Sequence, residues 1–279
     1  MTSTVLDGVL CLLLISGAVV TVTTATPREA TGEGRAPDVS STLATTTTSV
    51  NYTLEPTTGD GARVSVDRTA HGTLAELLAR AAVGRITVDG RRLSHARDGL
   101  GAAVASAVRG AIQENHTRVT AVWRPYPGPS IKGHVAVGAR PPPDVPVHAA
   151  TMTVSSGFPT RRDETRDAAR ARGIEGVADV VAEGFVEGLF PPTRTRVAAG
   201  GARPVSAVIR HRYRQATERF GVGRSTRLAS GGVDDTNERL AAAVSDRVAR
   251  DLGATNASAR AVSERVGLGR VRITVRTWP

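Results

Sequence analysis

Arg270-Val271-Arg272-Ile273-Thr274-Val275-Arg276, the last patterned stretch of the chain, alternates polar residues with β-branched apolar ones. A period of two marks a strand with one buried and one wet face. It sends Val271, Ile273 and Val275 inward and Arg270, Arg272 and Arg276 outward. A closing strand needs partners, and the sequence offers them. Arg118 to Trp123 places Val119, Ala121 and Trp123 on one face. Ile131, Gly133, Val135 and Val137 alternate next, and Val147 to Val154 gives a further strand. Pro125-Tyr126-Pro127-Gly128-Pro129 and Pro141-Pro142-Pro143 break the chain between them, and strands around such a connection are expected to pair antiparallel. Thr42 to Leu54, β-branched and polar, is expected as the first strand, with Thr45 to Thr48 as an extension of the stalk the alternative.

Between these stretches the period becomes helical. Leu74, Leu77, Leu78 and Ala81 form an i, i+3, i+4, i+7 stripe, and Ser94 to Glu114 repeats it through Leu100, Val104 and Val108. Gly99, Gly101 and Gly110 weaken that helix intrinsically, so close packing has to hold it. From Arg161, residues Ile174, Val177, Val181, Phe185 and Leu189 hold one face up to Pro191-Pro192. Val205 to Phe220 follows Pro204. Asp235 with Glu238 reads as a capping-box start for a helix that runs to Gly253, a favourable C′ residue. The pattern predicts an α+β fold: an N-terminal transmembrane helix followed by a globular body of amphipathic helices and a mostly antiparallel sheet.

The transmembrane expectation comes from Gly8 to Pro27, 20 residues without a charge. About 20 helical residues cross about 30 Å of hydrocarbon. Val9 to Ile15 has no polar face, so it demands burial all round. The expected layout is therefore residues 1–25 as a single-pass anchor or signal segment, 26–41 as a stalk and 42–279 as the body. Thr23-Thr24-Ala25 leaves cleavage open as the alternative to a retained anchor. Asp7, near the end of the run, is a candidate for intramembrane pairing with a neighbouring subunit, or a charge complementing the helix dipole. Three of the four asparagines, Asn51, Asn115 and Asn256, stand in N-x-S/T sequons and are candidate glycosylation sites. Arg28 and Arg35 after the run argue for a cytoplasmic body, and the sequons argue for an extracytoplasmic one. The second is expected.

Composition narrows the chemistry. The 279 residues suit one large or two modest domains with a sizeable core, which at 3% aromatics must be built from Val, Ala, Leu and Ile. One Cys excludes a disulfide framework and any multi-thiolate metal site. His-Glu-x-x-His, Gly-x-Ser-x-Gly and phosphate-loop patterns are missing, so no catalytic, cofactor or metal residue is nominated and no enzyme is expected. A tethered hydrolase ranks third among the classes weighed. Charge is the remaining signal. The chain is +10, with Lys132 its single lysine, and residues 190–230 hold nine arginines against Glu218. Arg203, Arg210, Arg212, Arg214, Arg219, Arg224 and Arg227 form the candidate anion-binding set. The competing reading is a solvated helix in an arginine-rich proteome. An exported body would meet phospholipid or an acidic surface polymer before nucleic acid.

Thr2-Ser3-Thr4-Val5-Leu6-Asp7-Gly8 leading into the apolar run, Val122-Trp123-Arg124-Pro125-Tyr126-Pro127, and Val135-Ala136-Val137-Gly138 carry a resemblance. In these the chain resembles the N-terminally anchored, pilin-like membrane proteins of unknown function in haloarchaea, encoded near archaeal type IV pilus assembly systems. The resemblance implies a structural or accessory subunit of a cell-surface assembly, with the lipid bilayer and other assembly subunits as partners. It also implies that Asp7 stands where pilin-type subunits keep an acid. Two features depart from it: no Arg or Lys precedes the apolar run, and the chain is basic where haloarchaeal proteins are acidic. Either the body has an acidic partner or the source lies elsewhere. The alternative function is a membrane-tethered protein that grips an anionic polymer, lipid or nucleic acid through its arginines.

Overall fold

The computed structural model describes residues 35–55, 65–93, 99–112, 115–202, 205–223 and 232–279. In chain order the described elements are α1 (Ala36–Thr45), β1 (Thr47–Leu54), β2 (Val66–Thr73), α2 (Leu74–Gly84), β3 (Thr87–Val88), β4 (Arg91–Arg92), α3 (Leu100–Ile112), β5 (Thr117–Trp123), β6 (Ile131–Val137) and β7 (His148–Ser155). There follow α4 (Arg162–Leu189), α5 (Pro192–Gly200), α6 (Val205–Phe220), α7 (Gly232–Gly253), α8 (Ala259–Arg265) and β8 (Arg270–Thr277).

The last strand lies inside the sheet. Its order is β4-β3-β6-β5-β8-β7, antiparallel at every step. Register follows the hydrophobic alternation, because a slip of one residue would turn every apolar side chain to water. Val119 faces Val137 and Val275, Ala121 faces Val135 and Ile273, and Trp123 faces Gly133 and Val271. Met152 and Val154 complete the layer opposite Ile273 and Val271. The strand around Pro125–Pro129 pairs as expected, β5 with β6. The strand after Pro141–Pro143 instead crosses to the far side of β8.

Helices cover this apolar face, with α2 across β5 to β8 and α1 against β7 and β8. Thr73 and Glu76 start α2 with a reciprocal capping box: the Thr73 N–H donates to Glu76 Oε2 at 2.9 Å, and the Glu76 N–H to Thr73 Oγ1 at 3.2 Å. Leu74, Leu77, Leu78 and Ala81 are buried to within 1%. Each such leucine contributes about 1.5–3 kcal/mol relative to exposure. The helix backbone comes down onto the sheet at Gly133, where a Cβ would stand 2.3 Å from the Ala82 carbonyl oxygen. The ribbon of β1 and β2 packs separately on α2 and α3.

A second helical layer, α4 against α7 with α8 on α4, meets the sheet where β5 ends. There Trp123 stacks on Phe158 at 4.9 Å and Phe185 at 6.0 Å, and its indole N–H donates to the Leu268 carbonyl at 2.7 Å. Asp251 of α7 accepts from the Tyr126 hydroxyl and the Ser130 N–H, both at 2.8 Å, fixing the proline turn. Burial first, then the Asp251 carboxylate, pushes the Tyr126 phenol far up.

Several expectations need correction. Among the described residues no helix is long and apolar enough to cross a membrane. The expected fold class is corrected accordingly: the described fold is an α+β body of helices and antiparallel sheet, with no transmembrane helix among its described elements. Residues 1–25 and Asp7 lie outside the described residues, as does the stalk up to residue 34. From Ala36 to Thr45 the chain is a helix with Ala36, Val39 and Leu43 in the core, where a linker to Ser41 and a strand from Thr42 were expected. Asp235 is not a cap: α7 begins at Gly232 and holds Asp235 in its first turn. The long helix after Arg161 is broken at Gly173, whose φ of +63° glycine tolerates.

A matched pair of substitutions tests the packing. Gly133→Ala is expected to lower stability by about 1–3 kcal/mol through overpacking against α2. Gly110→Ala, on an exposed turn of α3 with nothing within 4 Å, is expected to raise it by about 0.5–1 kcal/mol. Thermal unfolding of the two variants measures both signs.

Candidate anion-binding surface

The expected arginine patch is divided. Arg210 and Arg212 are exposed on α6, while Arg214 and Arg219 are half-buried. At 100° per residue Arg210 and Arg214 share a flank, and Arg212 points about 200° away from Arg210. Arg214 lies 3.2 Å from the His211 ring, and Arg219 donates to the Arg92 carbonyl at 3.1 Å, tying α6 to β4. Arg203, Arg224 and Arg227 lie outside the described residues. The sequon asparagines are all exposed, whereas Asn237 is half-buried. Asn51 accepts from the Thr69 hydroxyl at 2.8 Å within a ladder of cross-strand pairs on the β1–β2 ribbon. Asn115 precedes the buried Thr117 of β5, and Asn256 sits in a turn at φ +52°, with Ser258 capping α8.

The structure gathers a different set of cations. Strand alternation turns Arg118 of β5, Lys132 of β6, and Arg270, Arg272 and Arg276 of β8 to the side away from α1 and α2. Lys132, Arg270 and Arg272 are exposed, and Arg118 and Arg276 half-buried. The strands β5, β6, β7 and β8 contain no Asp or Glu at all. Among the described residues none of these five cations makes an ion pair. Their hydrogen bonds go to neutral oxygens: Arg118 to the Gly138 carbonyl at 3.2 Å, Arg276 to Thr120 Oγ1 at 3.3 Å, and Arg270 to the Val266 carbonyl at 3.2 Å.

Two features mark the face as short of anions. Arg118 stands directly opposite Arg276 in the ladder, and like charges so placed are destabilising. His134, on the same face of β6, is held below its ordinary value of 6.5 by burial first, and then by Arg118, Arg85 and Arg124. Burial and the neighbouring Arg162 and Arg272 likewise lower Arg270. Between the charges lie Thr120, Thr151 and Thr274, with small apolar side chains only, Val122 and Ala136 among them. The surface can hold anions by charge and by guanidinium forks. Among the described residues no group of three His, Cys, Asp or Glu could hold a metal ion. Alternation in β8 is readable in the sequence; that four acid-free strands share one face is not, because it depends on strand order.

A family model described as a family of unknown function (DUF7284) matches residues 6–278, and the chain belongs to that family. The match runs through the apolar N-terminal stretch and the whole described body. No curated protein and no solved structure matches the chain.

The depressed His134 titration gives a prediction with a definite sign. The unfolded chain takes up the proton first, so His134 is neutral at pH 7 and costs stability as the pH falls below 6.5. Arg118→Gln is expected to raise its pKa towards 6.5, read from the imidazole proton shifts by NMR. An unchanged or lower pKa in that variant would contradict the cationic field.

Proposed function

We propose that the protein is a non-catalytic accessory subunit of an extracytoplasmic, cell-surface assembly, and that it works by holding an anionic partner on the open sheet face. The observation that carries this reading is the five-cation face without a carboxylate on any of its four strands. Opposed cations that make no ion pair among the described residues are costly to keep, and an anion lowers that cost. The exposure of all three sequon asparagines supports an extracytoplasmic setting. A pilus-like, haloarchaeal form of the assembly rests on the sequence resemblance alone. The divided arginines of α6 favour the sheet over the 203–227 stretch as the gripping surface.

Two measurements test this. Polyglutamate is expected to bind the full chain at low ionic strength and to weaken steeply with salt, because exposed charges are screened within about 10 Å at 0.1 M. Arg272→Glu with Arg276→Glu is expected to reduce binding more than tenfold, and Arg210→Gln with Arg212→Gln to change it less than twofold. Salt-insensitive binding, or equal losses in the two double variants, would defeat the reading. Crosslinking in intact cells that yields only monomer would remove the assembly half of it.

A further inference from the structure

We infer that the open sheet face is a docking track for an extended acidic polypeptide segment of a partner protein, laid along β8 with carboxylates at alternate residues. This rests on the anion-binding reading above and narrows it to one chemical class. The first argument is pitch. Arg270, Arg272, Thr274 and Arg276 project from one side of β8, with successive side chains about 6.6–6.8 Å apart. A second extended polypeptide has that same spacing between its own same-face residues, so Asp or Glu at every other position stays in step with the strand beneath. The second is chemistry. Guanidinium forks pair two-point with planar carboxylates, and Arg118 opposite Arg276 lets one carboxylate reach both cations.

Other polyanions fit less well. A single-stranded nucleic acid is held by stacking on aromatic side chains, and the outward positions of β5 to β8 carry no Phe, Tyr or Trp and one imidazole, His134, too little for successive bases. A planar bilayer would have to meet cations spread over strands that each rotate about 20–25° from the next. Val122 and Ala136 also offer too little apolar surface to enter a headgroup layer. A narrow chain following one strand avoids both difficulties. Thr151 and Thr274, half-buried and in hydroxyl contact at 3.4 Å, leave a low, neutral floor on which a backbone can lie, with Thr120 buried beside them and donating to the Thr274 carbonyl at 3.2 Å.

Lys132 supplies a direct probe, being the single lysine of the chain and standing on this face. The full protein is titrated with an alternating Glu-Thr peptide, its block isomer of equal length and charge, polyphosphate, oligothymidylate and phosphatidylglycerol vesicles. The alternating peptide is expected to bind about tenfold tighter than the block isomer. Carbodiimide coupling is expected to form an amide between the Lys132 amine and a peptide carboxylate, located by mass spectrometry. Arg272→Gln with Arg276→Gln should abolish the preference without lowering the melting temperature, and Lys132→Arg should keep the preference while losing the crosslink. Equal affinity for the two isomers, or equal binding of polyphosphate, oligothymidylate or vesicles, overturns the polypeptide track and leaves general anion binding standing. If none of the five binds, the proposed function fails as well.

Discussion

Everything described depends on β8 being paired on both edges. The strand made last from the sequence must insert between β5 and β7, which reach it across more than a hundred residues. Until Arg270 to Thr277 is in place, Val119, Ala121 and Met152 lack the partners that close their layer. Non-local pairing of this kind is slow to form, because loop closure precedes the contacts that reward it. Its entry point is correspondingly well held. The Leu268 carbonyl, just before the strand, accepts from the Trp123 indole and from Ser156 Oγ at 2.8 Å. One buried acceptor thus joins the end of β5, the end of β7 and the start of β8.

A core with so few rings has to gain its density differently. Leu, Val and Ala fill the layer under α2, and small residues let backbones approach, as Ala82 does over Gly133. Most of the few aromatics are gathered rather than scattered through it. Trp123, Phe158 and Phe185 stack in sequence, Phe220 meets Phe185 edge-on at 6.1 Å, and Phe190 lies on Tyr213 at 4.0 Å. They sit where the sheet, the proline turn and the α4–α8 helices meet, a junction too irregular for aliphatic side chains alone to fill. The Tyr213 hydroxyl donates to Asn237 at 2.7 Å, and the Asn237 amide donates to the Phe190 carbonyl, so the second stack carries its own polar clasp.

What the sequence shows and hides follows from the range over which each pattern acts. Period-two alternation in β5, β6 and β8 and the leucine stripe of α2 are local, and both read directly. α1 carries buried residues at Ala36, Val39, Ser40 and Leu43, a true helical spacing, but a serine within the stripe and Ser41, Thr42 and Thr45 around it disguise the periodicity. β2 hides because only Ala70 of its eight residues is buried. The cationic sheet face is hidden for a different reason. Charge density along the chain points to residues 203–227, yet a helix distributes consecutive arginines around its axis, whereas strands 150 residues apart can bring theirs together.

The helical layer shows what this body does with arginine when acids are at hand. Arg166 pairs with Asp163, Arg170 with Asp167, Arg239 with Asp235 and Arg260 with Glu264, each one helical turn apart. Arg161 is enclosed by Glu164, Glu183 and Glu187, and Arg247 is held on Asp89 at 2.7 Å. Singly such surface pairs contribute little stability; what they do is cancel the field of α4, α7 and α8 locally. The sheet has the same means available, since a Glu opposite Arg118 in place of Arg276 would supply a favourable cross-strand pair. It uses none of them. Among the described residues, a helical surface laced with ion pairs stands beside sheet cations that make none, so the charge of the body is directional. In the proposed function, that direction rather than the net charge is what selects the partner.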